Sequence, residues 1–261
     1  MKISDGFELS VGDHVATLRI DRPGKRNALS AAMWRALPGI VAPLAADPAV
    51  RVLVLTGAGG TFCSGADISE IAGLADGDDD TGLTVLAERA LAEFPKPTIA
   101  MIEGFCVGGG CQLAVACDLR LAAEDARFGI TPAKLGVVYP LSSTRRLVDL
   151  VGPSTAKLLL YSAEFADAAT ALRTGLVDEV HAPRALRERV YGLARTLAGR
   201  SQLTLAATKE VVDGRADEAR FRHWQRESRE ETAEGVAAFL EGRPPRFPYR
   251  LPGGHSEDMT S

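Results

Sequence analysis

The sequence lacks three features that mark common classes of protein. No apolar run approaches the length needed to span a bilayer, and the opening MKISDGFELSVGDH has no apolar core of a secretory signal. A formal net charge of -4 provides no basic footprint for nucleic acid. No CxxC pair occurs, so we expect buried thiols and no metal site at the four cysteines, Cys63, Cys106, Cys111 and Cys117. These absences predict a cytoplasmic protein that binds neither nucleic acid nor a membrane.

Strand and helix patterns alternate along most of the chain. VATLRI, RVLVLTG and PTIAMIEG predict strands, and LSAAMWRALPGIVAPLAAD predicts a helix capped by Ser30 and kinked or broken by Pro38 and Pro43. Helical patterns dominate after the strand DLRLAA, with one more strand at LVDEVH and a helix stop at Gly175. We predict an α/β core over residues 1–200 and a helical C-terminal region over residues 201–261 that ends in an extended or disordered tail.

The acidic run ADGDDDTG has the alternate carboxylates of a calcium loop. Asp76, Asp78 and Asp80 have the required spacing. The sixth position of that loop calls for glycine and the twelfth for glutamate, whereas the sequence has Thr81 and Ala87. A solvated loop is therefore the better interpretation.

Two glycine-rich segments each follow a strand and precede a predicted helix. Gly108, Gly109 and Gly110 stand directly before CQLAVACDL, where free backbone N–H groups and the helix dipole attract negative charge. Close packing of strand against helix is the alternative, and the phosphate-loop patterns GxxxxGK[ST] and GxGxxG are absent. GAGGTFCSGADI is the second segment. Two amide donors from separate turns are what an oxyanion hole requires.

The motifs FCSGADI, IEGFCVGGGCQLAVACDLRLAAEDARFG, TGLVDEV and IDRPGKRNALS resemble those of the enoyl-CoA hydratase/isomerase, or crotonase, superfamily. The resemblance runs from about Val15 to about Phe247. It implies an α/β crotonase (ClpP-like) fold of repeated ββα units with a helical C-terminal trimerisation region, assembled as a homotrimer or a dimer of trimers. It also implies an acyl-CoA substrate whose thioester oxygen is bound by the amides of Ala66 and Gly109.

The same resemblance assigns groups to coenzyme A, which enters as part of the substrate. RPGKRNAL lies beside the nucleotide in the family, and backbone groups of the GADI segment meet the adenine. At the position of Gly242, relatives often have a lysine that lies near the coenzyme A of a neighbouring subunit. The next residue in this chain, Arg243, is a candidate to take the place of that lysine. The residues implied are Lys25, Arg26, Ala28, Asp67, Ile68 and Arg243.

Hydratases of this superfamily carry two catalytic glutamates that position and activate water. In this chain their positions fall on Gln112 and Pro132. Neither residue has a usable acid–base group, so efficient hydration by the usual mechanism is not expected. Glu124 and Asp125 lie beyond the next strand in a turn and cannot substitute.

The stretch FGITPAKLGVVYP resembles methylmalonyl-CoA decarboxylases, in which a threonine–proline pair and a tyrosine occur in the same order. This implies roles for Thr131, Pro132 and Tyr139 beside Gln112, although those relatives carry a histidine where this chain has Ala66. A malonyl-type substrate brings its own carboxylate, which a neutral pocket desolvates without repulsion. Decarboxylation of a short malonyl-type CoA ester, with no cofactor, is therefore the predicted reaction.

Three alternatives remain open. The first is an enoyl-CoA hydratase or isomerase of fatty-acid-type degradation, and the second is an acyl-CoA-binding protein without catalysis. The third, a hydrolase using Ser64, lacks the GxSxG elbow and a recognised histidine partner.

Overall fold

The computed structural model describes residues 2–4, 6–70 and 82–249. Within these residues the strands form a seven-stranded sheet of order β1-β2-β3-β4-β5-β7-β10 and a three-stranded sheet of order β6-β8-β9. The strands are β1 (Lys2–Ser4), β2 (Phe7–Gly12), β3 (Val15–Ile20), β4 (Val52–Gly57), β5 (Thr98–Ile102), β6 (Phe105–Val107), β7 (Leu119–Ala123), β8 (Arg127–Gly129), β9 (Ala166–Asp167) and β10 (Glu179–His181). The predicted strands are all present.

Eight α-helices pack around the sheets in the described part of the chain. They are α1 (Ala31–Ala46), α2 (Leu83–Ala92), α3 (Gly109–Ala116), α4 (Leu141–Ser162), α5 (Ala168–Thr174), α6 (Pro183–Ala198), α7 (Gln202–Val212) and α8 (Glu218–Glu241). Short 3-10 helices cover Pro23–Lys25, Ile68–Glu70 and Pro132–Lys134. Gly175 ends α5 in the left-handed conformation, as the sequence predicts.

The large sheet is parallel from β3 to β10, and its central strands β4 and β5 are buried on both faces. Val52 and Val54 pack with α6, while the alternate residues Leu53 and Leu55 join the larger core that contains α1 and α3. A strand covered on both sides reads as a continuous apolar run, which is why RVLVLTG is apolar at successive positions.

The chain passes repeatedly from the large sheet to the small one and then into a helix. β5 lies in the large sheet, β6 follows in the small sheet, and α3 comes next; β7 and β8 repeat this path. Gly108 lies in the crossing from β6 to α3, and Gly109 and Gly110 are the first residues of α3. This arrangement brings the start of α3 to the boundary between the two sheets.

The prediction that the first helix breaks at its prolines is wrong. Ser30 caps α1 through a bond from the Met33 N–H, but the helix continues through Pro38 and Pro43 to Ala46. A proline in a helix interior costs about 3 kcal/mol, whereas each large apolar side chain that is buried contributes roughly 1.5–3 kcal/mol. Five such side chains of α1 are buried and offset the prolines: Met33, Trp34, Leu37, Val41 and Leu44.

The two C-terminal helices, α7 and α8, pack on each other around Trp224. The described part of the tail leaves helical conformation after Gly242 and folds back on α8, since the N–H groups of Arg246 and Tyr249 bond to glutamates of that helix. The division at residue 200 stays a prediction. The acidic run with Asp76, Asp78 and Asp80, interpreted from the sequence as a solvated loop, lies outside the described residues. No helix in the described ranges has the length and apolar character needed to cross a membrane.

Candidate active site

A cavity of about 870 Å³ opens where the two glycine-rich segments meet. Its walls come from α1, the turns that precede Ile68–Glu70 and α3, the start of α2, and residues 131–141. A volume of this size accommodates a small organic ligand. The structure therefore brings segments that are far apart in the sequence to one site.

The first wall of the cavity is the turn into α3. Gly108 has φ 52° and ψ −116°, a conformation that glycine adopts without steric cost. Gly109 is the first residue of the helix, so its N–H has no intrahelical acceptor, and it donates to no acceptor among the described residues. A Cβ on Gly109 would lie 2.6 Å from Cζ2 of Trp34, which explains the need for glycine. The wall thus presents a free amide donor to the cavity.

The second turn supplies another donor beside the first. Leu29 donates its N–H to the Gly65 carbonyl and accepts the Asp67 N–H, each at 2.8 Å. These two bonds use the carbonyl before Ala66 and the N–H after it. The N–H of Ala66 itself has no acceptor among the described residues. A Cβ on Gly65 would lie 3.3 Å from the Gly109 nitrogen, so the turns are in contact. Two adjacent donors can stabilise a carbonyl oxygen that gains negative charge.

The rest of the described lining carries no Asp, Glu, His, Lys or Arg side chain. Gln112, Thr131, Pro132 and Tyr139 all line the cavity, and their catalytic roles stay predictions. Tyr139 is partly buried against the main core. Burial, reinforced by neighbouring thiols and Glu88, raises the pKa of its hydroxyl well above the usual value. Tyr139 is therefore a neutral hydrogen-bonding group at physiological pH.

Gln112 is held from behind by a buried polar cluster. Its Nε2 donates to the Thr84 carbonyl at 3.2 Å and to Oε2 of Glu88 at 2.9 Å. Glu88 also accepts from the Ser143 hydroxyl and, at 2.9 Å, from Nε of Arg146. We call Glu88, Gln112, Ser143 and Arg146 the floor network. It ties together α2, α3 and α4 below the cavity.

Four of the residues implied for coenzyme A lie in the cavity lining or next to it. Ile68 lines it and is 71% exposed. Asp67 is buried, and hydrogen bonds from Ser69 and then Arg22 lower the pKa of its carboxyl to about 2. The Lys25 and Arg26 carbonyls accept from the hydroxyl and N–H of the cavity residue Ser64, which places both basic residues beside the opening.

Two further implied residues, Ala28 and Arg243, also do not line the cavity. Ala28 is buried, and its carbonyl accepts from Arg22. Arg243 pairs with Glu234 at 2.7 Å and with Glu241 at 2.5 Å. Its implied role toward a neighbouring subunit's ligand stays a prediction.

The described cavity lining offers Ser64 no catalytic base, which the hydrolase alternative requires. Ser64 lines the cavity, but its hydroxyl donates to the Lys25 carbonyl at 3.3 Å. No histidine lies among the described residues of the lining. Glu124 and Asp125 are exposed in the turn between β7 and β8, as predicted, and do not reach the cavity.

A family model described as "Enoyl-CoA hydratase/isomerase" matches residues 11–250. The chain belongs to this enoyl-CoA hydratase/isomerase family. The match covers both glycine-rich turns and both C-terminal helices, so the sequence resemblance is confirmed over nearly the whole chain.

Curated relatives and solved structures of the enoyl-CoA hydratase/isomerase family agree with the match. The crotonyl-CoA hydratase of Syntrophomonas wolfei is 34% identical, with 90% of this chain and 95% of the relative covered. The 2,3-dehydroadipyl-CoA hydratase of Escherichia coli is 35% identical over 90% of this chain and 96% of that one. The solved enoyl-CoA hydratase of Bacillus anthracis superposes with a TM-score of 0.82 at 29% identity, covering 93% and 98% of the two chains.

These comparisons confirm the crotonase fold and identify this member of the enoyl-CoA hydratase/isomerase family as a crotonase-superfamily enzyme. They do not support the predicted decarboxylation, because the relatives are named as hydratases. The hydratase alternative therefore fits them better.

Sequence reasoning missed the floor network of this enoyl-CoA hydratase/isomerase family member. Glu88 lies on the buried face of α2 together with Val85, Leu91 and Ala92. A charged residue at a helix position whose neighbours at i−3 and i+3 are apolar was the available signal. Its partners Ser143 and Arg146 belong to a helix more than 50 positions away, at separations of 55 and 58 residues, and no local motif joins them.

Proposed function

We propose that the protein binds an enoyl-CoA thioester and catalyses a hydratase/isomerase-type reaction on it, with hydration of a 2-enoyl-CoA as the principal activity. The observation that carries this proposal is the pair of free N–H groups, on Ala66 and Gly109, at one wall of the cavity. Both donate to the thioester oxygen as charge moves onto it in an enolate-like transition state. Donors fixed in advance stabilise such charge strongly because they need no reorganisation.

Gln112 holds the water in this proposal. Its side-chain carbonyl has no partner among the described residues, so it accepts a hydrogen bond from a water molecule in the cavity. The water oxygen bonds to the β-carbon and a proton reaches the α-carbon, so that H and OH add across the double bond. Gln112 cannot remove the proton, because an amide is not a base at neutral pH. General acid–base help contributes typically 10²–10⁴-fold, so we expect a slow hydratase.

The relatives support the choice of an enoyl-CoA substrate. Crotonyl-CoA and 2,3-dehydroadipyl-CoA, named for two of them, are both thioesters with a double bond next to the carbonyl. Polarisation of that carbonyl makes the β-carbon electrophilic, and the two amide donors supply it without a further cofactor.

Decarboxylation of a malonyl-type CoA ester is the second candidate. The absence of ionisable acids and bases from the described lining favours it, since a substrate carboxylate meets no like charge there. The bond to the carboxylate breaks, its electron pair forms the thioester enolate, CO2 leaves, and a proton then reaches the α-carbon. Thr131 and Tyr139 hydroxyls would hold the carboxylate. On this candidate Tyr139→Phe lowers decarboxylation at least tenfold while leaving crotonyl-CoA chemistry unchanged.

The deciding experiment incubates the purified protein separately with crotonyl-CoA, methylmalonyl-CoA, malonyl-CoA and ethylmalonyl-CoA, and follows the products by mass. Gain of one water on crotonyl-CoA, absent in a Gly109→Pro control, supports hydration. Loss of CO2 from a malonyl ester with crotonyl-CoA untouched overturns it in favour of the second candidate. Tight binding of every ester without any turnover means a binding protein.

The remaining expectations concern coenzyme A and assembly. We propose that Lys25 and Arg26 bind the phosphates of coenzyme A and that Arg243 approaches the ligand of a neighbouring subunit. A trimer or dimer of trimers is supported by apolar side chains of α8 that are largely exposed in the single chain: Val236, Phe239 and Leu240. Light scattering on the purified protein measures the mass, and a monomer at micromolar concentration contradicts this proposal.

A further inference from the structure

The centre of the floor network is the Glu88 carboxylate, which lies away from the cavity surface. The Glu88 side chain is 2% exposed and does not line the cavity. One oxygen accepts from Gln112 and Ser143 and the other from Arg146. A buried carboxylate with one cationic partner and two further donors is compensated as an anion. An ionised carboxylate accepts hydrogen bonds and donates none.

This contact determines which way the Gln112 amide points. Only its NH2 group can bond to Glu88, and the second hydrogen of that group goes to the Thr84 carbonyl. Both donors are therefore occupied by protein acceptors. The carbonyl Oε1 has no partner among the described residues, and the side chain forms part of the lining. The floor thus presents an acceptor and no donor.

Glu88 also accounts for an amide at position 112. A glutamate there would place two carboxylates in hydrogen-bond contact, and two like charges so close do not both ionise. Glutamine removes that conflict and keeps the bond to Glu88. Glu88 on α2 and Gln112 on α3 therefore act together. The pair provides a hydrogen-bond acceptor of fixed orientation at position 112 instead of a catalytic base.

We propose that Glu88 is a positioning residue that fixes the Gln112 carbonyl toward the cavity, so that this subsite selects acyl groups bearing a hydrogen-bond donor at the β-carbon. The inference rests on the proposed function, which puts the water and the product hydroxyl at that carbon. An acyl chain with a 3-hydroxyl group satisfies the acceptor. A plain chain leaves it without a partner, and leaving a polar group unpaired costs binding.

The test compares dissociation constants, measured by calorimetry, of 3-hydroxybutyryl-CoA (each enantiomer) and butyryl-CoA. One enantiomer should bind the unaltered protein about 2- to 10-fold more tightly than butyryl-CoA, the range expected for one neutral hydrogen bond. In Glu88→Gln the amide at 112 no longer has a fixed orientation, so this ratio falls to about 1 while butyryl-CoA affinity stays within about twofold. Glu93→Gln, an exposed position just beyond α2, is the matched control and keeps the ratio.

A double-mutant cycle shows that Glu88 acts through Gln112. In Gln112→Leu the ratio of the two affinities should fall to about 1. Adding Glu88→Gln to Gln112→Leu should leave that ratio unchanged. A merely structural role would instead weaken both ligands together. If Glu88→Gln does not fold, the pair Glu88→Gln and Arg146→Met removes both charges at once and is measured in its place.

The outcomes separate the two proposals. If the unaltered protein binds neither ester, the proposed function fails. If it binds both esters equally, or if Glu88→Gln retains the unaltered ratio, the positioning role fails while thioester binding stands.

Discussion

The two polar sides of the cavity are built in different ways. The donor wall consists of main-chain N–H groups of Ala66 and Gly109, which sit on turns that allow close approach. The floor depends on side chains, since Gln112 takes its orientation from Glu88 and through it from Ser143 and Arg146. Main-chain donors persist through most substitutions nearby, whereas one change in the floor network removes a hydrogen bond that orients Gln112. In our proposals, the main-chain donors bind the thioester and the floor network selects its acyl group, so the two tasks belong to separate structures.

The largest effect is expected from removing a main-chain donor. Gly109→Pro and Gly109→Ala both place a Cβ against Trp34, but only proline removes the N–H. We expect the proline variant to turn over its best substrate about 10²–10³-fold more slowly than the alanine variant. Steady-state kinetics of the two folded variants measures this ratio. Equal rates would mean that the Gly109 amide is not a donor to the reacting oxygen.

A smaller effect is expected when the floor network loses its cation. Arg146→Met leaves the Glu88 carboxylate buried without a charged partner. Breaking a buried pair costs roughly 3–5 kcal/mol, and because 37% of the Arg146 side chain is exposed we expect only about 2 kcal/mol. Urea denaturation measures the loss. The neighbouring exposed Arg145→Met should cost less than about 0.5 kcal/mol, and an equal loss in both variants would show that the ion pair with Glu88 is not the cause.

The smallest effect concerns the support of the donor wall at high pH. Burial raises the pKa of the Cys63 thiol to about 12, and its sulfur accepts the Gly65 N–H at 3.3 Å. Between pH 9 and 12 the unfolded thiol loses its proton while the folded one keeps it, so the free energy of unfolding falls as pH rises. One such thiol contributes a slope of about 1.4 kcal/mol per pH unit.

Cys63→Ala should therefore make the alkaline fall in stability less steep by about that slope. Denaturation curves at several pH values above 9 test it, and Ser64→Ala is the control that removes a neighbouring group without this titration. If the slopes of Cys63→Ala and the unaltered protein coincide, the thiol does not ionise on unfolding.

Much of the fold and of the donor wall was predictable because local signals carry them. Strand and helix patterns, the cap at Ser30 and the glycines before α3 all act over a few residues. The positions of Gln112 and Pro132 followed from family motifs, and both line the cavity. Decarboxylation was inferred from the missing glutamates and from the local resemblance of FGITPAKLGVVYP to methylmalonyl-CoA decarboxylases, and the relatives do not support it.

The floor network could not be predicted from the same signals. Its members come from three helices, and their contacts depend on how those helices pack. The prediction that Pro38 and Pro43 break α1 failed for a related reason. Local backbone preference was outweighed by burial against a core whose extent no short segment reveals.

The placement of Trp34 makes the cavity observable by light. Its indole lines the site against Gly109, and the only other tryptophan in the sequence, Trp224, stacks with Arg220 at 4.2 Å in the C-terminal helices. A ligand that enters the cavity changes the surroundings of one fluorophore and not of the other. In a Trp224→Phe background, intrinsic emission would report occupancy directly, with no label and no turnover.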